Sequence, residues 1–221
     1  MSSEPIPKPS KGDVVHALTK AALSTIPVAG GPAVELFQLA VQPPIERRRV
    51  KWMEEVGVRL HRLETEGLKL EDLQHNEQFV SAVLQATQIA VRTHNIEKIR
   101  ALQAALENIA RGQAPEEAMQ AMFFSFIDSM PALQLQMLAV FSAPQVPPGI
   151  SIGGLSTVLE HNIPELRGKR DLYDQLWKDL WTRGLVNTEG LNTTMSGNGL
   201  ASRRTSALGE SFLSFIRERE A

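Results

Sequence analysis

The sequence predicts a mainly α protein: an N-terminal helical bundle followed by a C-terminal winged-helix-like module with a small β-hairpin. Three observations carry that prediction. Residues 12–141 repeat apolar positions at helical spacing and contain no strand signal. The stretch 142–149, Ser-Ala-Pro-Gln-Val-Pro-Pro-Gly, interrupts this pattern with three prolines and a glycine. Beyond it the order is helix, short strand, glycine-tipped excursion, short strand, helix. The predicted organisation is a flexible tail over 1–10, a bundle over 11–142, a linker over 143–149 and the module over 150–221.

Taken in order, Asp13, His16, Lys20 and Ser24 recur at helical spacing with Val14, Val15, Leu18 and Ala22 between them, so the first helix is amphipathic. Ile26-Pro27 ends it, because a residue before proline is driven out of the α region. Gly30-Gly31-Pro32 makes a turn, and Pro32 is pre-set for the first turn of a second helix. That helix is apolar apart from Glu35, Gln38 and Gln42, and its other faces need cover. Pro43-Pro44 is expected to kink or restart the chain before a longer helix with the seam Ile45, Trp52, Val56, Leu60 and Leu63. Its start is basic, with Arg47, Arg48, Arg49 and Lys51.

A loop over 67–76 leads to a helix with the face Phe79, Val83, Ala86 and Ala90. Asn95 is a predicted N-cap for the next, whose face is Ile96, Ile99, Leu102, Leu106 and Ile109. Gly112 stops it. Pro115 opens a helix bearing Met119, Met122, Phe123, Phe126 and Ile127, and Pro131 opens a short one through Phe141. After the linker, 155–159 reads as a short helix. Leu172, Leu176 and Leu180 on one row and Tyr173, Trp177 and Trp181 on the next give the most strongly periodic element, with Gly184 as its stop. Residues 185–188 and 202–204 read as the two strands, the glycines at 190, 197 and 199 as the wing between them. Thr205 is the expected cap of a last helix with Leu208, Phe212, Phe215 and Ile216.

Composition places the chain among ordinary soluble proteins, with 43% hydrophobic and 22% charged residues. No cysteine is present, which excludes disulfides, thiolate metal sites and thiol nucleophiles and fits a reducing cytoplasm. The start carries no apolar run of the signal-peptide kind. A formal charge of -2 provides no general attraction to nucleic acid or anionic lipid. Over 150–221 nine Lys/Arg face nine Asp/Glu, and the predicted groove helix 170–183 is also neutral. Phosphate neutralisation supplies most non-specific DNA affinity, so this balance disfavours a DNA reader. The five histidines (His16, His61, His75, His94 and His161) show no ligand spacing. No nucleophile elbow or P-loop occurs. Arg92, His94, Glu97 and Lys98 read as ion-pair bracing at a helix joint, and Asp171, Asp174 and Asp179 as a solvated face.

The tail RGKRDLYDQLWKDLWTRGLVNTEGLNTTMSGNGLASRRTSALGESFLSFI, with IPVAGGPAVELF, PPIERRRVKW and NEQFVSAVLQATQIAVRTHNIEKIRALQAAL, resembles a widespread family of uncharacterised bacterial proteins over residues 25–217. The likeness implies no chemistry. In order of elements the chain is also similar, more loosely, to the Abi-alpha family, linked to abortive phage infection. No site residues follow from either resemblance.

The expected function is that of a non-enzymatic bacterial cytoplasmic interaction or regulatory protein, without cofactor or small-molecule substrate, acting on a protein partner or on a second copy. Glu35 and Phe37 on the apolar segment, Arg47, Arg48 and Arg49 at the basic helix start, and Arg203 and Arg204 at the wing are the candidate interaction residues. Two alternatives stand beside it. One is a membrane-acting effector that deploys the apolar hairpin 12–45, too broken by Pro27, Gly30, Gly31 and Pro32 to span a bilayer as one helix. The other is a DNA-binding regulator.

Overall fold

In the computed structural model, which describes residues 32–218, the protein is mainly helical, with ten α-helices and one two-stranded antiparallel sheet among the described residues. The elements are α1 (Pro32–Thr65), α2 (Leu70–Gln74), α3 (Glu77–Arg92), α4 (Ile96–Ala110), α5 (Glu117–Ser129), α6 (Ala132–Ser142), β1 (Ile152–Gly154), α7 (Leu155–Asn162), a 3-10 turn (Pro164–Leu166), α8 (Arg170–Thr182), β2 (Thr194–Ser196), α9 (Gly197–Ala201) and α10 (Ala207–Ile216). Contacts divide the chain into two units, Met1–Pro44 and Ile45–Ala221. The first predicted helix lies outside the described residues, and of the first unit only the start of α1 is described.

The predicted restart at Pro43-Pro44 does not occur. Helix α1 runs through both prolines although neither has an N–H for the i−4 carbonyl. Farther on, Trp52 and Leu63 are buried and Val56 and Leu60 pack against them, as the seam requires. The indole Nε1–H of Trp52 donates to Thr87 Oγ1 at 3.0 Å and ties α1 to α3.

Two asparagines start the next helices. The Asn76 side chain accepts from the Phe79 N–H at 3.0 Å, and Asn95 accepts from the Lys98 N–H at 3.1 Å, so each satisfies an orphan donor. Helix α4 is the centre of the second unit. Residues 101–110 are buried on every side, and α3, α5 and α10 pack around them. The expected one-sided face is therefore too narrow for this helix, and Ile96 at its start is 66% exposed. Alanines 101, 104, 105 and 110 let neighbours approach from several directions.

Aromatic packing closes the other side. Phe123 of α5 lies 5.3 Å from Phe212 and 5.4 Å from Phe215 of α10, ring centre to ring centre. Phe126 meets Phe212 edge-on at 5.6 Å, and the Arg183 guanidinium sits 5.5 Å over the Phe126 ring. Such pairs each add about 1 kcal/mol beyond area burial. One core cluster extends from Trp52 to Phe215 across the segment 143–149.

The β structure differs from expectation. The sheet pairs β1 with β2 antiparallel, Gly153 opposite Met195, while the predicted strands 185–188 and 202–204 reduce to one bridge, Val186 to Thr205. Ser196-Gly197-Asn198-Gly199, read as wing, instead starts α9, with the Ser196 hydroxyl accepting from the Gly199 N–H. The cap of α10 is Ser206, whose hydroxyl accepts from the Gly209 N–H at 3.0 Å; the neighbouring Thr205 is buried and donates to Glu210. Gly184 has φ +72° and ends α8 as predicted.

Candidate functional site

Helix α8 presents the best-defined surface of the C-terminal third. At about 100° per residue, Tyr173, Leu176, Trp177 and Leu180 share one half of its circumference, and Leu172 and Trp181 fall at the two edges of that half. The inward half is fixed from three directions. Phe141 of α6 meets Trp177 edge-on at 4.7 Å, and the Trp177 indole N–H donates to the Thr188 carbonyl at 2.9 Å. The buried Gln134 side chain of α6 donates to the Leu176 carbonyl at 2.9 Å and to Asp179 at 2.8 Å. The Tyr173 hydroxyl donates to Glu160 at 3.2 Å, and burial, then that carboxylate, raises its pKa.

The predicted double stripe is thus only partly buried: Leu172 is 46% and Trp181 42% exposed. Between them on the outer side lie Asp171, Gln175, Lys178 and Thr182, all exposed. The remaining charges of the helix are answered within it. Arg170 lies 3.3 Å from Asp174, and Arg183 lies 2.8 Å from Asp179. Burial would raise the pKa of Asp179, but hydrogen bonds from Arg183 and Gln134 outweigh it and hold the carboxyl below its ordinary value. Asp174 also accepts from Asn192 at 3.2 Å. Asp174 and Asp179 therefore brace the structure, beyond the solvated face read from sequence.

Of the two arginines expected at the wing, Arg204 turns inward and Arg203 stays exposed. Arg204 donates to the Gly199 carbonyl and reaches Met195 Sδ at 3.1 Å, while its own N–H donates to the Phe141 carbonyl at 2.9 Å. Arg203 donates to the Ser142 carbonyl at 3.3 Å and lies 3.4 Å from Glu210. The side chains of Glu35 and Phe37 lie outside the described residues. In the basic run of α1, Arg49 is buried and lies 3.3 Å from Glu46, whereas Arg47 and Arg48 are exposed.

Arg48 also borders a second feature, a cleft of about 300 Å³ between α1 and the joint of α3 with α4. Trp52, Ala90 and Gln103 form its buried part. Arg48, Lys51 and Arg59 line it from α1, and His94, Ile96, Ile99 and Arg100 from the other wall. Glu55 is its one acidic residue; it accepts from Gln103 at 2.7 Å and lies 3.8 Å from Lys51. At the same joint Arg92 lies 2.8 Å from Asp128, Lys98 Nζ donates to the Asp128 carbonyl at 2.8 Å, and Glu97 accepts from Gln136. The bracing expected for Arg92, Glu97 and Lys98 thus runs to α5 and α6, while His94 lines the cleft.

One polar cluster has no signature in the sequence. Glu107, buried on α4, receives Arg62 at 2.6 Å, Arg59 at 3.2 Å and Arg111 at 3.2 Å, and Arg59 extends to Glu218. Burial would raise the Glu107 pKa, but the arginine hydrogen bonds and charge, Arg111 first, bring it below the ordinary value. Beside it, the Asn108 amide donates to the carbonyls of Ser214, Phe215 and Arg217 and closes the C-terminal end of α10. The spacing Gln103, Glu107 on a helix reads as a solvent stripe, so nothing in the sequence marks these residues as internal.

No group of three or more His, Asp or Glu side chains is placed to hold a metal ion among the described residues, and no single described helix is long and apolar enough to cross a membrane. Compared with known proteins, the chain matches no family model, no curated protein and no solved structure.

Proposed function

We propose that this is a non-enzymatic interaction protein of the bacterial cytoplasm, a helical bundle with a winged-helix-like module that docks on a protein partner through the outer face of α8. The order α6, β1, α7, α8, β2, with β1 antiparallel to β2, supports the winged-helix-like reading. The observation that carries the docking reading is the make-up of that outer face. A short polar stripe is flanked on both sides by a large exposed apolar side chain, Leu172 on one edge and Trp181 on the other. Exposed tryptophan is enriched where proteins meet proteins. A nucleic-acid reader instead needs surplus positive charge, and here Arg204 is spent on the Gly199 carbonyl while the exposed Arg203 is offset by Glu210.

Site-specific photocrosslinking from position 175 in the full chain tests the reading. A discrete protein adduct is expected, and Leu172→Ser with Trp181→Ser should abolish it while the chain keeps a cooperative thermal transition, with Tm lowered by no more than about 8 °C. Duplex DNA should bind no better than about 100 µM at physiological salt, the weak end of non-specific affinity. Submicromolar, salt-sensitive DNA binding, or an adduct indifferent to both substitutions, would overturn it.

A further inference from the structure

We propose that the cleft between α1 and the α3–α4 joint binds a small phosphate-bearing ligand, held from its two walls by Arg48 and Arg100. At about 300 Å³ it has the size of a small-molecule pocket rather than of a macromolecular groove. Its interior is closed by the buried Trp52 and Gln103. The cationic side chains are not equivalent. Arg59 is committed to Glu107 and Glu218, and Lys51 has Glu55 nearby.

Arg48 and Arg100, by contrast, have no ion-pair partner among the described residues and are exposed at the rim, one on each helix. The one acid of the lining, Glu55, is already engaged by Gln103 and Lys51. The lining therefore has an unbalanced positive charge carried by two guanidiniums. Each can offer a phosphate paired N–H donors in a planar fork, a geometry that an ammonium lacks. The exposed Ile96 and the half-buried Ile99 supply an apolar wall for the rest of the ligand. Several oxygens spread over a phosphate or diphosphate match two forks better than a single carboxylate does.

Titration calorimetry of the full chain with inorganic pyrophosphate and with adenosine diphosphate tests the assignment. Saturable binding of at least one, with Kd below about 1 mM, is expected. Arg48→Ala and Arg100→Ala should each weaken it about tenfold, the effect of losing one charge-assisted contact. Both residues are exposed, so Tm should be unchanged, and Arg48→Lys should restore only part of the affinity. Three results would overturn the proposal: no saturable binding of either probe, affinity unchanged in both alanine variants, or arginine-dependent binding of poly-glutamate without phosphate affinity. The last would assign the cleft to an acidic protein segment. Substitutions on α8 leave this cleft untouched, so the two readings fail separately.

Discussion

A methyl group built on Gly209 would sit 2.1 Å from the Leu185 carbonyl oxygen, a backbone atom that cannot swing aside. Gly209→Ala is therefore expected to cost about 3 kcal/mol, at the upper end of ordinary overpacking, because the Val186–Thr205 bridge and the start of α10 must separate. Chemical denaturation measures this, and a change below about 0.5 kcal/mol would show that the contact relaxes freely. Gly57 poses the opposite case. It is exposed inside α1 and nothing lies within 4 Å of an added Cβ, so Gly57→Ala should stabilise by about 1 kcal/mol through helix propensity alone. Glu107 makes the residue scale pH-dependent. Its folded pKa is lowered, so its contribution is fully present above the unfolded value and is lost as pH falls below about 4.3. Glu107→Gln should flatten the stability profile in that acid range, and an unchanged profile would count against the arginine cluster as its cause.

At the scale of elements, the two tryptophans of α8 separate packing from surface. Trp177 is buried against Phe141, and its replacement by alanine should cost about 3–5 kcal/mol. Trp181 lies at the exposed edge of the same helix, and its replacement should stay within about 1 kcal/mol. Equal losses would put Trp181 in the core beside Trp177. The sequence does announce this helix: its apolar period, its glycine stop and its approximate bounds are legible, as are the Asn95 cap and the Gly112 stop of α4. Its rotation is not, because two rows at i, i+4, i+8 cover about half the circumference and leave their outer ends undecided. The strands are illegible for a different reason. Leu185 and Val186 are apolar and buried, yet only a single bridge, Val186 to Thr205, forms there, and the pairing partner of β2 is a glycine-containing segment, Ile152–Gly154, with little strand propensity. Of the candidate site residues, Arg48 was legible as part of a basic helix start. Its counterpart Arg100 was not, since only the packing of α1 on α3 and α4 brings residues so far apart in the chain to one cleft.

At the scale of the second unit, no internal break is built in at 143–149. Helix α6, before that segment, packs on α8 and α10 behind it, and α4 packs on α10. Residues 45–218 are accordingly expected to unfold in one cooperative step, and a chain ended at residue 149 should lose the sharp transition because α4 and α6 are left uncovered. A fragment that keeps a steep thermal transition would sink this expectation. The same arrangement bears on biosynthesis. Asn108 is joined to Ser214, 106 positions later, so the central helix leaves the ribosome well before the helix that covers it. At about 5–20 residues per second, that surface stays open for roughly 5–20 s in every round of synthesis. A nascent chain arrested near residue 200 should then be far more sensitive to protease within 101–110 than the released protein, and that interval is when a ribosome-associated chaperone has most to hold.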